Sequence, residues 1–161
     1  MSLNVGILSI QGDVQENLIS TRAALNELGI DGKVTDVKTP EEISQLDGLI
    51  IPGGESTGKT DQPLLDILDI KLERNSFGRQ KESFEADISM DSINIPKFNG
   101  VFIRAPSVSD VGSDIEVLSK FNDRIVAVKK DNVIGTAFHP ELTKDISLHK
   151  FFVNLVNSTK T

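Results

Sequence analysis

The chain has 161 residues, 38% of them hydrophobic, and carries 17 lysines and arginines against 24 aspartates and glutamates for a net charge of −7. That length supports one domain with a substantial core, and the negative field disfavours phosphate backbones and anionic lipid, so neither nucleic acid nor a membrane is expected as a partner. Cysteine is absent and histidine occurs only at His139 and His149, which excludes disulfides, thiol catalysis, thiolate metal sites and a histidine-rich metal centre in the chain as written.

Met1-Ser2-Leu3-Asn4-Val5 places no basic stretch ahead of an apolar one. No apolar run approaches the length of a membrane span, so a cytoplasmic protein is expected. Residues 4–10 form a short apolar run with β-branched residues, ended by Gln11-Gly12, and read as a buried strand. Asp13 with Glu16 three positions on suggests a helix cap. Val14, Leu18, Thr21, Leu25 and Leu28 follow at helical spacing until Gly29 stops the helix. A second strand is expected over 33–37. Thr39-Pro40-Glu41-Glu42 is a capping box with proline at the first helical position, opening a short helix through Leu46. Residues 49–51 make a third strand that runs into Pro52-Gly53-Gly54. Strand, helix, strand, helix, strand at these lengths indicates an α/β fold with a doubly wound, mostly parallel sheet and flanking helices.

The second half reads differently. Strands are expected over 83–90, 101–104, 115–118, 125–129 and 133–138, with Lys130-Asp131-Asn132 closing a tight antiparallel hairpin between the last two. A final helix sets Leu148, Phe151, Phe152 and Leu155 on one face. No repeat, low-complexity tract or linker interrupts the text, so residues 1–161 read as a single domain.

Pro52-Gly53-Gly54-Glu55-Ser56-Thr57 follows a strand end, where open α/β sheets bind ligands. Two literal patterns cross it. Residues 53–60 satisfy G-x-x-x-x-G-K-[ST], the phosphate loop, in which Lys59 would hold phosphates and Thr60 a magnesium ion. Glu55 would then sit as a carboxylate in an anion cradle, and Pro63 falls in the first turn of the helix that must follow. Residues 54–58 match the G-x-S-x-G elbow with Ser56 as nucleophile and His139 as base, but Gly58 and Pro63 argue against the long helix an elbow needs. Phe138-His139-Pro140-Glu141 also ends a strand. Residues two apart on an extended segment point to one side, so Glu141 can hold the His139 imidazole in one tautomer and stabilise its protonated form; the bland alternative is a surface turn. Arg74 and Arg104 suit a carboxylate ligand through a bidentate fork, against the alternative of surface ion pairs. His149, in the last helix, reads as solvated.

Six segments together carry a resemblance: Leu8-Ser9-Ile10-Gln11-Gly12, Leu49 to Thr57, Glu73-Arg74-Asn75-Ser76-Phe77-Gly78-Arg79-Gln80, Ser83-Phe84-Glu85-Ala86, Gly100-Val101-Phe102-Ile103-Arg104-Ala105-Pro106 and Phe138-His139-Pro140-Glu141-Leu142-Thr143. In this order they resemble the signature blocks of the glutaminase subunit of pyridoxal 5′-phosphate synthase, a class I, triad-type glutamine amidotransferase. The resemblance implies a cysteine on a strand-to-helix elbow that attacks the side-chain amide of L-glutamine. A glutamyl thioester forms and is hydrolysed, and the ammonia passes to a synthase subunit in a hetero-oligomer. It implies His139 as base and Glu141 as its orienting acid. Gly54, Glu55, Ser56, Arg74, Ile103 and Arg104 would bind glutamine, and Gln11 would stand at the oxyanion or the partner surface. It implies no metal and no cofactor.

One departure is large. Between Gly-Gly-Glu-Ser-Thr and Glu-Arg-Asn the family carries a helix, a core strand, the Gly-Thr-Cys-Ala-Gly elbow and a further helix, whereas here only residues 58–73 bridge the gap. On the order of 40 residues are missing, more than one strand–helix unit. The phosphate-loop match therefore straddles a junction near 57–61. An omitted segment, an engineered deletion and a natural variant lacking the nucleophile are the three readings; Asp61-Gln62-Pro63-Leu64-Leu65 resumes the family text smoothly, which favours omission. Ser56 is a poor substitute nucleophile, since the resemblance gives it to substrate binding.

Overall fold

The computed structural model describes residues 2–10, 12–53, 68, 70–73 and 83–160. The chain falls into two compact units, one made of Met1–Gln62 with Ile146–Thr161 and the other of Pro63–Asp145.

The first unit is built on a parallel sheet of strands β1 (Leu3–Leu8), β2 (Gly32–Val37) and β3 (Gly48–Ile50) in the order β2-β1-β3. On β1 the period-two rule puts Leu3, Val5 and Ile7 on one face, all fully buried. They share a core with Leu18, Ala24 and Leu25 of helix α1 (Val14–Leu28), Val34 of β2, and Val153 and Val156 of helix α3 (Ser147–Lys160). Each of the valine, leucine and isoleucine side chains contributes about 1.5–3 kcal/mol relative to leaving it in water. The expected α1 face is the observed one, with Leu18, Thr21 and Leu25 buried. Gly29 closes α1 in the left-handed conformation at φ 65°, its N–H donating to Asn26. Asp13 precedes the helix but makes no side-chain cap bond, contrary to the capping box read from the sequence. At helix α2 (Pro40–Ile43) the box is complete: the Glu42 N–H donates to Thr39 Oγ1 at 3.2 Å, and the Thr39 N–H donates to Glu42 Oε1 at 3.2 Å. That helix stops three residues short of the expected end.

α3 differs from expectation. It buries Leu148, His149, Val153 and Val156, while Phe151 and Leu155 stay half exposed. The largest apolar rings do not define the stripe. The buried face is set by the positions that reach the sheet, where Val156 lies close enough to Gly48 that a side chain there would meet its Cγ2 at 2.7 Å.

The second unit is antiparallel. Strands β5 (Ser83–Met90) and β6 (Ile95–Ile103) pair as one hairpin sheet. A second sheet orders β10 (Val133–Thr136), β9 (Arg124–Lys130), β7 (Ser107–Val111) and β4 (Ile70–Glu73), with β8 (Glu116–Phe121) also on β9. Two-residue turns set its registers. Asn122 and Asp123, at φ 50° and 62°, join Phe121 to its partner Arg124, and Asp131, at φ 50°, begins the turn that pairs Lys130 with Val133. Positive φ at these positions matches the right-handed twist of the flanking strands. Strands β4 and β7 were not expected from the sequence, because Ile70-Lys71-Leu72-Glu73 and Ser107-Val108-Ser109-Asp110 alternate too briefly to stand out. β6 begins six residues before its expected start and β10 ends two before its expected end.

Candidate functional site

His139 is held from four directions within the second unit. Phe138, only 3% exposed, packs its ring against Phe98 and Phe102 at 5.6 and 5.7 Å, so the residue before the histidine is anchored in an aromatic core. Its carbonyl accepts a bond from Thr136 Oγ1 at 3.0 Å. The His139 N–H donates to the Val101 carbonyl of β6 at 2.7 Å. After it, Pro140 opens a single 3-10 turn, Pro140–Leu142, closed by the Leu142 N–H on the His139 carbonyl. That turn swings Glu141 back beneath the ring.

His139 Nδ1 and Glu141 Oε1 lie 2.7 Å apart, with side-chain exposures of 19% and 5%. A carboxylate withdrawn this far from water is tolerated where a hydrogen-bond donor satisfies it. A carboxylate accepts and does not donate, so His139 donates to it through Nδ1–H. When Nε2 takes a proton, the adjacent carboxylate stabilises the imidazolium. The arrangement can orient the ring and stabilise its charged form, which is what a general base requires.

The backbone bond ties His139 to Val101, two residues before β6 ends at Ile103. Ile103 is 41% exposed for an aliphatic residue at a strand end. Arg104 follows at φ 45°, a left-handed conformation that costs an arginine about 1–3 kcal/mol and that clusters at ligand sites. Of the expected site residues, His139 and Glu141 are in direct contact, and Ile103 and Arg104 follow the Val101 partner of His139 along the chain. Gly54, Glu55, Ser56, Arg74 and Gln11 lie outside the described residues, as does all of the phosphate-loop pattern except Gly53.

In the first unit the loops that leave β1 and β3 touch. Gly12 takes φ 82°, and a methyl group on it would overlap the Gly53 carbonyl oxygen and come within 2.8 Å of Pro52 Cβ. Two loops at the carboxyl ends of neighbouring parallel strands are where such sheets hold ligands. Sequence reasoning missed this contact, and it misplaced His149. That residue is 5% exposed, its Nε2 lies 3.1 Å from Asn17 Oδ1, and burial pushes its pKa down to about 4. An i, i+4 run of Leu148, Phe152 and Val156 flanking it was the available signal.

The profile of the SNO glutamine amidotransferase family matches residues 7–62 and 58–158, two stretches that meet at 58–62. A pyridoxal 5′-phosphate synthase subunit PdxT from Nitrosopumilus maritimus is 52% identical over 204 aligned positions, which take in 99% of this chain and 100% of that protein. Since this chain has 161 residues, at least 43 of those positions (204 less 161) hold none of its residues. A subunit of the same description from Methanosphaera stadtmanae is 42% identical over 191 positions, covering 97% of this chain and 98% of that one. A solved structure described as a glutamine amidotransferase superposes with a TM-score of 0.80 at 35% identity, covering 95% of this chain and 98% of its own.

Proposed function

The chain belongs to the SNO glutamine amidotransferase family, and on that premise we propose that the protein is the glutaminase subunit of pyridoxal 5′-phosphate synthase, hydrolysing L-glutamine to glutamate and ammonia and delivering the ammonia to the synthase subunit. The observation that carries this reading is the 2.7 Å contact between His139 Nδ1 and the buried Glu141 carboxylate. His139 Nε2 takes the proton from a cysteine thiol as its sulfur attacks the glutamine amide carbon. The same nitrogen returns that proton to the departing ammonia, then draws one from the water that cleaves the thioester. Gly54, Glu55, Ser56, Arg74, Ile103 and Arg104 hold the amino acid, an arginine meeting its carboxylate. Gln11 stands at the oxyanion or at the partner surface. The setting is cytoplasmic, and the chain is one amidotransferase-like domain whose text breaks near residues 57–61.

The nucleophile is the missing part. The 43 or more unfilled positions, together with a family match that restarts at 58–62, support a segment omitted from this sequence that bears the cysteine. Intact mass with peptide mapping tests this. A mass of 17.6 kDa removes the nucleophile and leaves the second reading, an inactive subunit that docks on the synthase. A larger mass predicts glutamine hydrolysis in the presence of the synthase, lowered about 10²–10⁴-fold by His139→Asn. Hydrolysis undiminished in that variant would refute the assignment of the base. Nucleotide binding at residues 53–60 gains no support from any described residue.

A further inference from the structure

α1 and α3 meet in the first unit across an apolar seam; Lys150 Nζ pairs with Glu27 Oε2 at 2.7 Å on its solvent side, and a second side-chain polar link lies buried within it. His149 Nε2 lies 3.1 Å from Asn17 Oδ1, and both residues are buried, 5% and 3% exposed. Asn17 is committed on its other side: its Nδ2 donates to the Asp13 carbonyl at 2.9 Å, and its backbone N–H donates to the same oxygen at 3.2 Å. With the amide nitrogen so engaged, Asn17 Oδ1 faces His149 and can only accept. His149 therefore donates through Nε2 and is held in the Nε2–H tautomer. Its Nδ1 is buried with no hydrogen-bond partner among the described residues. A nitrogen buried in that way costs stability that a leucine at the same position would not, so packing alone does not account for a histidine there.

The Asp13 carbonyl is the far end of the segment 9–13, which links β1 to α1. Its near end is fixed by the Ser9 N–H on the Val37 carbonyl at 2.8 Å. Between them, Gly12 lies against Pro52 and Gly53, and its carbonyl accepts from the Val14 N–H at 3.0 Å. We propose that His149 is a positioning residue: by locking the Asn17 amide it pins the Asp13 carbonyl and so fixes Gly12 and Asp13, the end of the connection from β1 to α1, from a helix at the opposite end of the chain. Its consequence for catalysis rests on the glutaminase reading; the mechanical link does not.

The test uses the full chain with His149→Leu, which removes the bond, and His149→Gln, whose amide nitrogen reaches the same place and can donate it. Hydrogen exchange is followed at the amides of residues 9–14. The expected result is exchange faster by about tenfold in His149→Leu, the effect of one lost hydrogen bond. The β1 and β2 ladder should be unchanged, and His149→Gln should restore protection. Unchanged exchange at 9–14, a uniform rise across the first unit, or a glutamine variant no better than leucine would overturn the proposal. If His149→Leu does not fold, Asn17→Ala breaks the same link from α1 and is read by the same criteria. L-glutamine titration into the complex with the synthase subunit separates the two claims. Faster exchange with weaker glutamine binding supports both, whereas faster exchange with unaltered binding upholds the link and counts against a role for this segment in the glutamine site.

Discussion

Gly12 and Gly29 both hold left-handed backbones, at φ 82° and 65°, in the same unit, but their surroundings differ. Around Gly29 nothing lies within 4 Å of where a methyl group would be. Gly29→Ala therefore carries only the backbone cost of a left-handed residue, about 1–2 kcal/mol, less about 0.4–1 kcal/mol from a stiffer unfolded chain. Gly12→Ala carries both of those and a collision as well. Its methyl would overlap the Gly53 carbonyl oxygen and sit 2.8 Å from Pro52 Cβ, so one loop must give way. Overpacking of this kind costs about 1–3 kcal/mol. The alanine at position 12 should then destabilise by about 1–3 kcal/mol more than the alanine at position 29, read as the difference in ΔG from urea denaturation with the slope m unchanged. The pair is the measurement, since terms common to both sites cancel. Equal costs, within about 0.5 kcal/mol, would mean that the contact between the two loops is not formed in solution.

Three further outcomes follow from the same geometry. His149 has its folded pKa depressed to about 4 from 6.5 by burial, so the unfolded chain binds its proton first. Its contribution is intact above pH 6.5 and is lost as pH falls from 6.5 towards 4, with a slope of about 1.4 kcal/mol per pH unit that should be absent from the stability profile of His149→Gln. Asp47 accepts bonds from the Asn4 N–H at 2.7 Å and Lys160 Nζ at 3.0 Å, and these hold its carboxyl below 3.8. The stability it adds is present above pH 3.8 and disappears as pH falls through the lower folded value, so the difference in Tm between wild type and Asp47→Asn at pH 7 should vanish in strong acid. Phe138→Ala should cost about 3–5 kcal/mol and, by releasing the residue beside His139, should lower hydrolysis in the full protein more than it lowers glutamine affinity; an equal effect on both would refute the anchoring role.

The parallel half was legible because its signals are local and redundant. β1 is a short, mostly apolar run, α1 shows a clear helical period, and Gly29 and the Thr39 box mark ends whose chemistry admits few alternatives. The antiparallel half was legible only where a strand is long or a turn is tight. β4 and β7 draw their stability from each other, Ile70 opposite Val111 and Glu73 opposite Ser107, and a pairing across some 35 residues leaves no trace in either short segment. His139 and Glu141 could be found because they are two residues apart in one strand-end turn. The contact of Gly12 with Gly53 could not, since glycine permits a close approach without announcing one. His149 was misread for a related reason: a polar residue in a helix is solvated by default, and the buried amide that receives it lies 132 positions away.

The chain has two histidines, and what each can do is decided by the acceptor it faces. Asn17 Oδ1 is neutral, so it can receive one N–H from His149 but adds little to hold a positive charge, and burial of the ring penalises that charge further. The only stable form of His149 at neutral pH is uncharged, which suits a fixed strut and disqualifies a proton carrier. Glu141 offers His139 the same geometry, an oxygen 2.7 Å from Nδ1, but with a full negative charge. Protonation of the His139 ring then creates an ion pair where at His149 it would create an isolated cation. His139 also keeps 19% of its side chain exposed, enough for the proton to have somewhere to go. Exchanging the carboxylate for an amide at position 141 would preserve the contact and remove this difference, so Glu141→Gln separates the charge of Glu141 from its position in the proposed role of His139 as base.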